Sequence, residues 1–290
     1  MRKLALIVNP SAAGGRTIAA LDEVCAALAA HGLRYRVEFT RTLEHAGELA
    51  LAAATADETA VAFGGDGLVA AVAGALKHSD AVIGLLPGGR GNDLARTLGI
   101  PLEPRAACAV LASGVVRSLD LGEVDGRTFI GIASCGFDSD ANRIANATRV
   151  VRGNLVYLYA AVAALAHWKP ASFELTLDGE HRAFTGYSVA LANSRSYGGG
   201  MLLAPDASMQ DGHLEVVMIH QMPRARFLWL LPTVFRGAHV RFREVEITRA
   251  HEVELRCDRD FSLYADGDPI AELPARVRAL PGAVRMIVPA

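Results

Sequence analysis

Residues 60–76 read AVAFGGDGLVAAVAGAL. A short apolar run stops at three glycines around Asp66, and apolar residues at helical spacing begin at Leu68, so the stretch predicts a strand, a tight turn and a helix. Glycines let a phosphate approach the main chain, and the first turn of a following helix aims free N–H groups at such an anion. Asp66 then stands where it could hold magnesium, which prefers oxygen ligands supplied jointly by carboxylates and phosphates. An Asp-Gly turn that only connects two elements explains the same residues equally well.

The same alternation runs through the first part of the chain. Ala-rich helical stretches separate short apolar runs, which is the pattern of a parallel sheet covered on both faces. The predicted strands are 4–8, 34–40, 59–63 and 81–86, and the predicted helices are 17–31, 44–56 and 68–77, with further helix after Asp93. The sequence therefore predicts an α/β domain at the N-terminus.

Three of these strands end in glycine-bearing loops, at 9–15, 64–67 and 87–93. Because the carboxyl ends of parallel strands meet at one edge of a sheet, we expect the loops to converge on one site. None of them matches Gly-x-x-x-x-Gly-Lys-Ser/Thr, and the loop after the first strand lacks Gly-x-Gly-x-x-Gly, which weakens the P-loop ATPase and dinucleotide-binding interpretations. Without a P-loop lysine, the candidate phosphate cations are arginines, each of which could also be a solvated surface charge: Arg16, Arg41, Arg90 and Arg96.

The second part of the chain, after about residue 122, has a different sequence pattern. Short β-rich runs separated by turn signals predict a largely antiparallel sandwich. These runs are 128–133, 173–177, 184–192, 214–219, 252–257, 261–265 and 283–288. Two apolar helical stretches, 154–168 and 224–236, each contain a tryptophan. We interpret them as packing against the sandwich; walls of a hydrophobic substrate groove and contact with a bilayer are the alternatives.

Three polar clusters occur in this second part. Residues 134–138 contain Cys135 without an accompanying histidine motif, so we interpret them as a turn after a strand. Asp211 lies in a loop rich in turn residues and could coordinate an ion together with main-chain carbonyls. Asp266 and Asp268 follow a strand, and side chains two apart on a strand face the same way, so both could look into one cleft. An ordinary hairpin turn also explains this pair.

Composition limits the classes of function. With 290 residues and 51% hydrophobic content, the chain can bury the cores of one large or two moderate domains. Its net charge of -2 provides no global field for nucleic acid. Four widely spaced cysteines fit reduced thiols in a cytosolic protein. No apolar run reaches the roughly 18 to 20 residues that span a bilayer, so we expect a protein that at most lies on a membrane surface.

Taken in order, five motifs closely resemble the diacylglycerol kinase catalytic-domain family, which includes bacterial lipid kinases and sphingosine kinases. They are NPSAAGG at 9–15, GGDG at 64–67, LPGGRGNDLAR at 86–96, the stretch from Ala204-Pro205 to Asp211-Gly212, and DGD at 266–268. The resemblance runs from residue 6 to the end. It implies a nucleotide-binding α/β domain over 1–121, a mainly antiparallel β-sandwich domain for the lipid over 122–290, and an active site in the interdomain cleft. A return of the last strand toward the first domain is left open.

The resemblance also implies roles for individual residues. The nucleotide would bind to two loops and to the start of the third, with Thr40 nearby; these residues are Asn9, Pro10, Ser11, Ala12, Ala13, Gly14, Gly64, Gly65, Asp66, Gly67, Gly89, Arg90 and Asn92. Asp66 and Asp93 would belong to the acidic network around catalytic magnesium, and Asp120 would support it from a buried position.

In the second domain, Asp211 would be the side-chain ligand of a structural magnesium ion, together with the carbonyls of Ser208 and His213. Asp266 would be the general base, and Asp268 stands where the family usually has glutamate. The sequence departs from the family's pattern at two further places. Leu68 replaces a common threonine, as in sphingosine kinases, and Arg90-Gly91 replaces a Thr-x pair.

The expected activity is transfer of the γ-phosphoryl group of ATP to the primary hydroxyl of a membrane lipid, with magnesium as cofactor. Diacylglycerol, giving phosphatidate, is the favoured acceptor. A sphingoid base, phosphatidylglycerol, a polyprenol or NAD remain alternatives, as does a non-catalytic lipid-binding protein on the same fold. We expect a cytoplasmic protein with transient, peripheral membrane association and no nucleic-acid partner, and a homodimer is left open.

Overall fold

The computed structural model describes residues 2–147 and 155–290. By its internal contacts the chain divides into two compact units. The first unit comprises Met1–Leu121 and Leu280–Ala290, and the second comprises Gly122–Ala279. Residues 280–290, which the sequence-based boundaries placed in the second domain, therefore belong to the first unit. The chain enters the second unit within one strand and leaves it within another.

The first unit is an α/β layer structure. Its elements are β1 (Lys3–Val8), α1 (Arg16–Ala30), β2 (Arg34–Phe39), α2 (Leu43–Thr55), β3 (Thr59–Gly64), α3 (Asp66–Ala75), β4 (Val82–Pro87), α4 (Asp93–Thr97), α5 (Pro104–Ser113) and the start of β5 (Val115–Val124). Strands β4, β3, β1 and β2 lie side by side in that order, and all of these pairings are parallel.

Local sequence explains where these elements begin and why the strands are buried. All residues of β3 are buried, as expected for a parallel strand covered on both faces. The Thr42 side chain accepts a hydrogen bond from the His45 N–H and so caps α2. The Glu103 side chain accepts hydrogen bonds from two N–H groups at the start of α5, where Pro104 occupies the first helical position.

The second unit is a mostly antiparallel β-sandwich with helices. After β5 come β6 (Arg127–Phe129), β7 (Ile132–Gly136), α6 (Phe137–Ala147), α7 (Leu155–His167), β8 (Ala171–Leu177), β9 (Glu180–Ala192), β10 (Leu214–His220), α8 (Arg224–Leu230), β11 (Val245–Ala250), β12 (Glu252–Cys257), β13 (Ser262–Ala265), β14 (Asp268–Glu272) and β15 (Ala275–Val288). Strand β9 pairs with β8 through its first half and with β7 and β10 through its second half. Residue 154, the start of one predicted helix, lies outside the described residues.

Strand β15 completes the first unit after contributing to the second. In the second unit its start pairs antiparallel with β12. In the first unit its later residues pair parallel with β4, through Arg285 opposite Val82. The Ala283 carbonyl also accepts a hydrogen bond from the His78 N–H, over 2.7 Å. Ile287 on this strand is completely buried, so the C-terminal residues form part of the first core.

Aromatic rings fill the core of the second unit. The ring of Tyr187 stacks on that of Phe227 at 4.1 Å between centroids and on that of Trp168 at 5.9 Å. The buried Tyr187 hydroxyl donates to the Met222 carbonyl over 3.0 Å, which satisfies its polar group. Phe137, the first residue of α6, meets Trp168 and Phe227 edge to face. Helix α6 is thereby fixed on the sandwich.

Removing apolar volume from the C-terminal strand is expected to destabilise the first unit. Ile287→Ala should lower the free energy of unfolding by about 2 to 5 kcal/mol, because the buried side chain leaves a cavity. Ile18→Ala is the matched control, since Ile18 belongs to the same unit and is 45% exposed; it should change stability by about 0.5 kcal/mol or less. Urea unfolding followed by far-UV circular dichroism measures both. Equal shifts would mean that β15 does not belong to the first core.

Candidate active site

Three glycine-bearing loops of the first unit are joined by backbone hydrogen bonds. The Asn9 N–H, after β1, donates to the Phe63 carbonyl on β3 over 3.1 Å. The Gly88 N–H, after β4, donates to the Gly64 carbonyl over 2.7 Å. The three loops follow neighbouring parallel strands, so the structure brings them together at the carboxyl edge of the sheet.

The approach of two of these loops requires glycine. A Cβ atom on Gly89 would lie 2.5 Å from the Cα atom of Gly65, and one on Gly65 would lie 3.3 Å from the Cα atom of Gly89. A Cβ atom on Gly88 would lie 2.4 Å from a methyl group of Thr17. The glycines here are therefore needed for close packing of backbones. The same absence of side chains lets an anion reach the main chain.

Asp66 connects the second loop to the third. It is the first residue of α3, and its Oδ1 atom accepts a hydrogen bond from the Leu94 N–H at the start of α4 over 3.1 Å. Asp93 is the first residue of that same short helix. Asn92, in the left-handed region with φ 52°, holds the third loop closed: its side chain accepts from the Gly89 N–H and donates to the Gly89 carbonyl. The two predicted magnesium ligands thus belong to loops that contact each other.

The first loop is a compact turn. The Asn9 side-chain oxygen accepts hydrogen bonds from both the backbone N–H and the hydroxyl of Ser11, over 3.0 and 2.8 Å. Residues Ala12–Gly14 form a 3₁₀ turn in which Ala13 has φ 47°. The Thr17 hydroxyl donates to the Asn9 carbonyl over 2.5 Å. Thr40 is buried, and its N–H donates to the Val8 carbonyl at the end of β1, which places Thr40 beside this loop.

The candidate phosphate cations all lie on the surface. Arg16, Arg41, Arg90 and Arg96 are exposed side chains. Arg96 donates to the Gly91 carbonyl over 3.3 Å, within the third loop. Asp120 has a different environment, because it is 2% exposed and accepts a hydrogen bond from the Gly282 N–H over 2.7 Å. It fixes the backbone at Gly282, which lies within β15 and has φ 58°.

In the second unit, Asp266 lies in a turn, and this corrects the view that Asp266 and Asp268 share one strand face. Asp266 and Gly267 separate β13 from β14, and both have positive φ, 52° and 98°. An Asp-Gly pair in this conformation is the preferred two-residue hairpin turn. Alternation along a strand therefore does not relate the two carboxylates. Asp268 is the exposed first residue of β14.

The Asp266 carboxylate accepts hydrogen bonds from two consecutive backbone N–H groups. Its Oδ2 atom lies 2.8 Å from the Ile130 nitrogen, and its Oδ1 atom lies 2.8 Å from the Gly131 nitrogen. A Cβ atom on Gly131 would lie 2.4 Å from that Oδ1 atom, so only glycine permits the contact. The orientation of the carboxylate is thus fixed by the connection between β6 and β7.

Asp178 is a close internal counterpart of Asp266. It also begins an Asp-Gly hairpin with positive φ at both residues, between β8 and β9. Its carboxylate also accepts hydrogen bonds from two consecutive N–H groups, those of His251 and Glu252. The resemblance to the kinase family gives Asp178 no catalytic role. Comparing Asp178 with Asp266 therefore distinguishes the structural effect of an aspartate in such a turn from a contribution of Asp266 to catalysis.

The region around Asp211 is a surface turn. The Asp211 Oδ1 atom accepts from the His213 N–H over 3.1 Å, and the His213 ring nitrogen Nδ1 lies 2.7 Å from the Asp211 carbonyl oxygen. Arg249 approaches the Asp211 Oδ2 atom at 3.9 Å and bonds Glu215 more closely, at 2.7 Å. The Ser208 hydroxyl accepts from the Gln210 N–H. Residues 208–213 thus form one compact loop.

One buried carboxyl group was missed by the sequence analysis. Asp138, near the start of α6, has an Oδ2 atom that is buried without a hydrogen-bond partner among the described residues. Burial raises its pKa to about 7, and a hydrogen bond from Ser134 opposes this rise. The nearby Cys135 thiol is also buried, which raises its pKa far above the usual value and makes it a poor nucleophile. Cys135 is thus a buried residue of β7, and α6 begins at Phe137, so the turn predicted at 134–138 is wrong.

The described residues contain no ready cluster of protein metal ligands. Within 2–147 and 155–290, no group of three or more His, Cys, Asp or Glu side chains is placed to hold an ion. A magnesium ion bound by one or two carboxylates and by nucleotide phosphates needs no such cluster. The donor set of Asp66 and Asp93 beside the glycine loops fits that kind of site.

Comparison with known proteins gives the family. A model of the diacylglycerol kinase catalytic domain matches residues 3–124, and a model of the YegS C-terminal NAD kinase beta sandwich-like domain matches residues 131–288. A diacylglycerol kinase of Mycobacterium tuberculosis is 36% identical over 296 residues, which cover 99% of this chain and 95% of that protein. A diacylglycerol kinase of Bacillus subtilis is 31% identical and a YegS-like lipid kinase of Pseudomonas fluorescens is 34% identical, each over 79% of this chain and 77% of the relative.

The chain therefore belongs to the diacylglycerol kinase catalytic-domain family. It is a lipid kinase, a phosphotransferase with an alcohol group as acceptor, and membership of this family implies ATP as the phosphoryl donor. A crystal structure of a diacylglycerol kinase from Bacillus anthracis shares the fold, with a TM-score of 0.76 at 20% identity over 99% of this chain and 97% of the other. Among the described residues, no helix is both long and apolar enough to cross a membrane.

The close contact between the second and third loops predicts a graded loss of nucleotide binding. Gly65→Ala should weaken ATP binding slightly, because its Cβ atom would meet the Gly89 backbone at a tight distance. Gly65→Val should weaken it by roughly tenfold or more, because a branched side chain occupies the space that phosphates need. Isothermal titration calorimetry with ATP measures the affinity, and far-UV circular dichroism controls for folding. Parental affinity in folded Gly65→Val protein would contradict this placement of the nucleotide.

Proposed function

We propose that this protein transfers the γ-phosphoryl group of ATP to the primary hydroxyl of diacylglycerol and so forms phosphatidate. The observation that carries the choice of acceptor is the 36% identity to a protein named diacylglycerol kinase across 99% of this chain. The packed glycine loops support the donor side of the proposal, because they offer backbone N–H groups without side chains in the way.

In the proposed reaction the first unit holds the donor. The loops after β1, β3 and β4 would bind the nucleotide, and Asp66 and Asp93 would hold the magnesium ion. Bound magnesium would supply neutralisation of the charge on the transferred phosphoryl group. Asp120 is proposed to support this acidic network from its buried position, where its carboxylate also accepts a hydrogen bond from the Gly282 N–H. Phosphoryl transfer asks mainly for positioning and electrostatic stabilisation, which rigid, mutually bonded loops can provide.

Asp266 is the proposed general base, which would accept the proton of the lipid hydroxyl. Support comes from its fixed orientation, since two N–H groups hold the carboxylate in one position. Asp268, on the other side of the same turn, is proposed as a second catalytic carboxylate beside Asp266. For Asp211, we propose magnesium binding together with the carbonyls of Ser208 and His213. The compact 208–213 turn supports this, because carboxylate and carbonyl oxygens would then come from one short loop.

An acceptor panel tests the activity directly. The full chain is incubated with labelled ATP and magnesium in mixed micelles that contain diacylglycerol, a sphingoid base, phosphatidylglycerol or a polyprenol, with soluble NAD and a no-acceptor reaction beside them. We expect labelled phosphatidate as the main product. A faster reaction with another lipid would reassign the acceptor within the lipid kinases. Labelling of NAD in preference to every lipid would overturn the proposal.

The role of Asp266 is tested against its internal counterpart. Asp266→Asn should lower lipid phosphorylation by a factor on the order of 10² to 10⁴ and leave ATP affinity nearly unchanged, because it removes a proton acceptor. Asp178→Asn makes the same change in the same kind of turn, so it should match Asp266→Asn in stability and keep the parental rate. Thermal unfolding and initial rates on diacylglycerol measure the two effects.

Two outcomes would contradict this assignment. Equal rates in Asp266→Asn and Asp178→Asn would mean that Asp266 only shapes a hairpin. Parental turnover in Asp266→Asn together with an inactive Asp268→Asn would move the base to Asp268. Asp268→Glu, which restores the residue usual in the family, should retain activity under either assignment.

A further inference from the structure

A segment of the second unit combines strong positive charge with exposed aromatic side chains. Residues 221–243 contain five arginines and no aspartate or glutamate. All 31 acidic residues and 24 of the 29 basic ones lie elsewhere, so the rest of the chain carries a formal charge of -7. The segment comprises α8 and two 3₁₀ turns, Leu231–Arg236 and Ala238–Arg241. Positive charge is therefore concentrated in one short piece of an otherwise acidic protein.

Buried side chains anchor this segment to the sandwich. Phe227, Leu230 and Val234 are buried, and the ring of Phe227 stacks on that of Tyr187 at 4.1 Å between centroids. The Leu202 N–H donates to the Val234 carbonyl over 3.0 Å. The buried His239 ring nitrogen Nε2 lies 2.9 Å from the Leu203 carbonyl oxygen, and burial lowers the His239 pKa. These contacts thus fix the segment on the sandwich.

Large apolar side chains cover the outer side of the same segment. Trp229 is 61% exposed, Phe235 is 57% exposed and Leu228 is 41% exposed. Leu228 and Trp229 lie between the buried Phe227 and Leu230 on α8, and Phe235 follows the buried Val234 in the first 3₁₀ turn. Trp168, the other tryptophan of the chain, is 3% exposed. Of the two tryptophan-containing stretches, one therefore buries its indole ring in the core and the other presents it to solvent.

Two arginines beside these apolar groups keep their charge uncompensated. Arg226 and Arg243 pair with Glu244, and Arg224 donates to the Trp168 carbonyl. Arg236 and Arg241 are exposed, and neither pairs with a carboxylate among the described residues. Exposed aromatic rings next to unpaired arginines match the interface of a bilayer, where rings enter the headgroup region and guanidinium groups meet lipid phosphates.

We propose that Leu228, Trp229, Phe235, Arg236 and Arg241, here called the α8 surface, dock the protein on an anionic lipid bilayer. The inference rests on the proposed function in one respect, since a lipid acceptor places the reaction at a bilayer. The charge distribution determines which part of the chain faces the bilayer. A surface of anionic lipid repels the acidic remainder of the chain and attracts this segment. Docking by three side chains and two charges is weak and reversible.

Vesicle binding tests the α8 surface. The full chain is sedimented with vesicles of phosphatidylcholine alone or with about one third phosphatidylglycerol, over a range of salt concentrations. We expect binding to the anionic vesicles that weakens as salt rises. Arg236→Gln/Arg241→Gln should weaken it by about fivefold for each arginine. Leu228→Gln/Trp229→Gln/Phe235→Gln should weaken it by roughly tenfold or more, because the apolar contact is lost.

Matched variants control for nonspecific effects. Arg34→Gln/Arg256→Gln removes two exposed arginines from other places, and Phe39→Gln/Leu51→Gln removes exposed apolar side chains from the first unit. Both should bind vesicles as the parent does. Tryptophan fluorescence adds an independent readout. Because Trp168 is already buried, a blue shift on adding anionic vesicles reports Trp229, and it should be absent in Trp229→Phe.

The outcomes separate this inference from the proposed function. Parental vesicle binding by both α8-surface variants would overturn docking, whatever the kinase activity. Self-association that disappears in the apolar variant, without vesicle binding by the parent, would make the surface an interface between copies of this chain and would also overturn it. Vesicle binding that depends on the α8 surface in a protein that phosphorylates no lipid would sustain docking and defeat the proposed activity. A monomeric short-chain diacylglycerol should be phosphorylated at the parental rate by both variants.

Discussion

The hydrogen bond from the Gly88 N–H to the Gly64 carbonyl, 2.7 Å long, joins the ends of β3 and β4. It holds the two loops so close that Gly65 and Gly89 meet backbone to backbone. The Asp66 side chain adds a further link, because its carboxylate accepts a hydrogen bond from the Leu94 N–H at the start of α4. Any residue larger than glycine at position 89 would separate the loops. The geometry of the proposed nucleotide site therefore depends on an absence of side chains, and the carboxylates are placed by that packing.

Carboxylates in this protein repeatedly orient distant backbone segments. Asp120 holds Gly282, Asp178 holds the turn between β11 and β12, and Asp266 holds the connection between β6 and β7. Each hydrogen bond joins residues far apart in the chain. This use of aspartate stabilises a fold whether or not the residue also acts in catalysis. A fixed carboxylate is also what proton transfer needs, so structural and catalytic roles are compatible at Asp266.

Sequence patterns predicted the parallel strands well, because strands buried on both faces appear in the sequence as short runs of apolar residues. The observed β1 to β4 differ from the predicted strands by about one residue at either end. Strand β5 was not predicted, because it contains Asp120 and Glu123, which are buried and accept hydrogen bonds from partners far along the chain. Helix α6 was not predicted either, because its polar composition resembles that of a loop, and the predicted strand 128–133 is interrupted at Ile130 and Gly131. For the site, the sequence predicted which loops meet, but the turn that separates Asp266 from Asp268 needed backbone angles.

The two tryptophan-containing stretches show why burial is harder to predict than helicity. Both are apolar around most of their circumference, so pattern alone gave them the same interpretation. Trp168 follows α7 and enters a stack with Tyr187 and Phe261, covered by the guanidinium group of Arg259 at 4.9 Å. Trp229 sits one position from the buried Leu230, and the 100° step along a helix turns it outward. The buried positions Phe227, Leu230 and Val234 already use the anchoring face, so Trp229 has no core left to enter. The exposure of Trp229 follows from the register of α8 on the sandwich. The positive charge of residues 221–243 then indicates that an anionic surface is the environment that suits this ring.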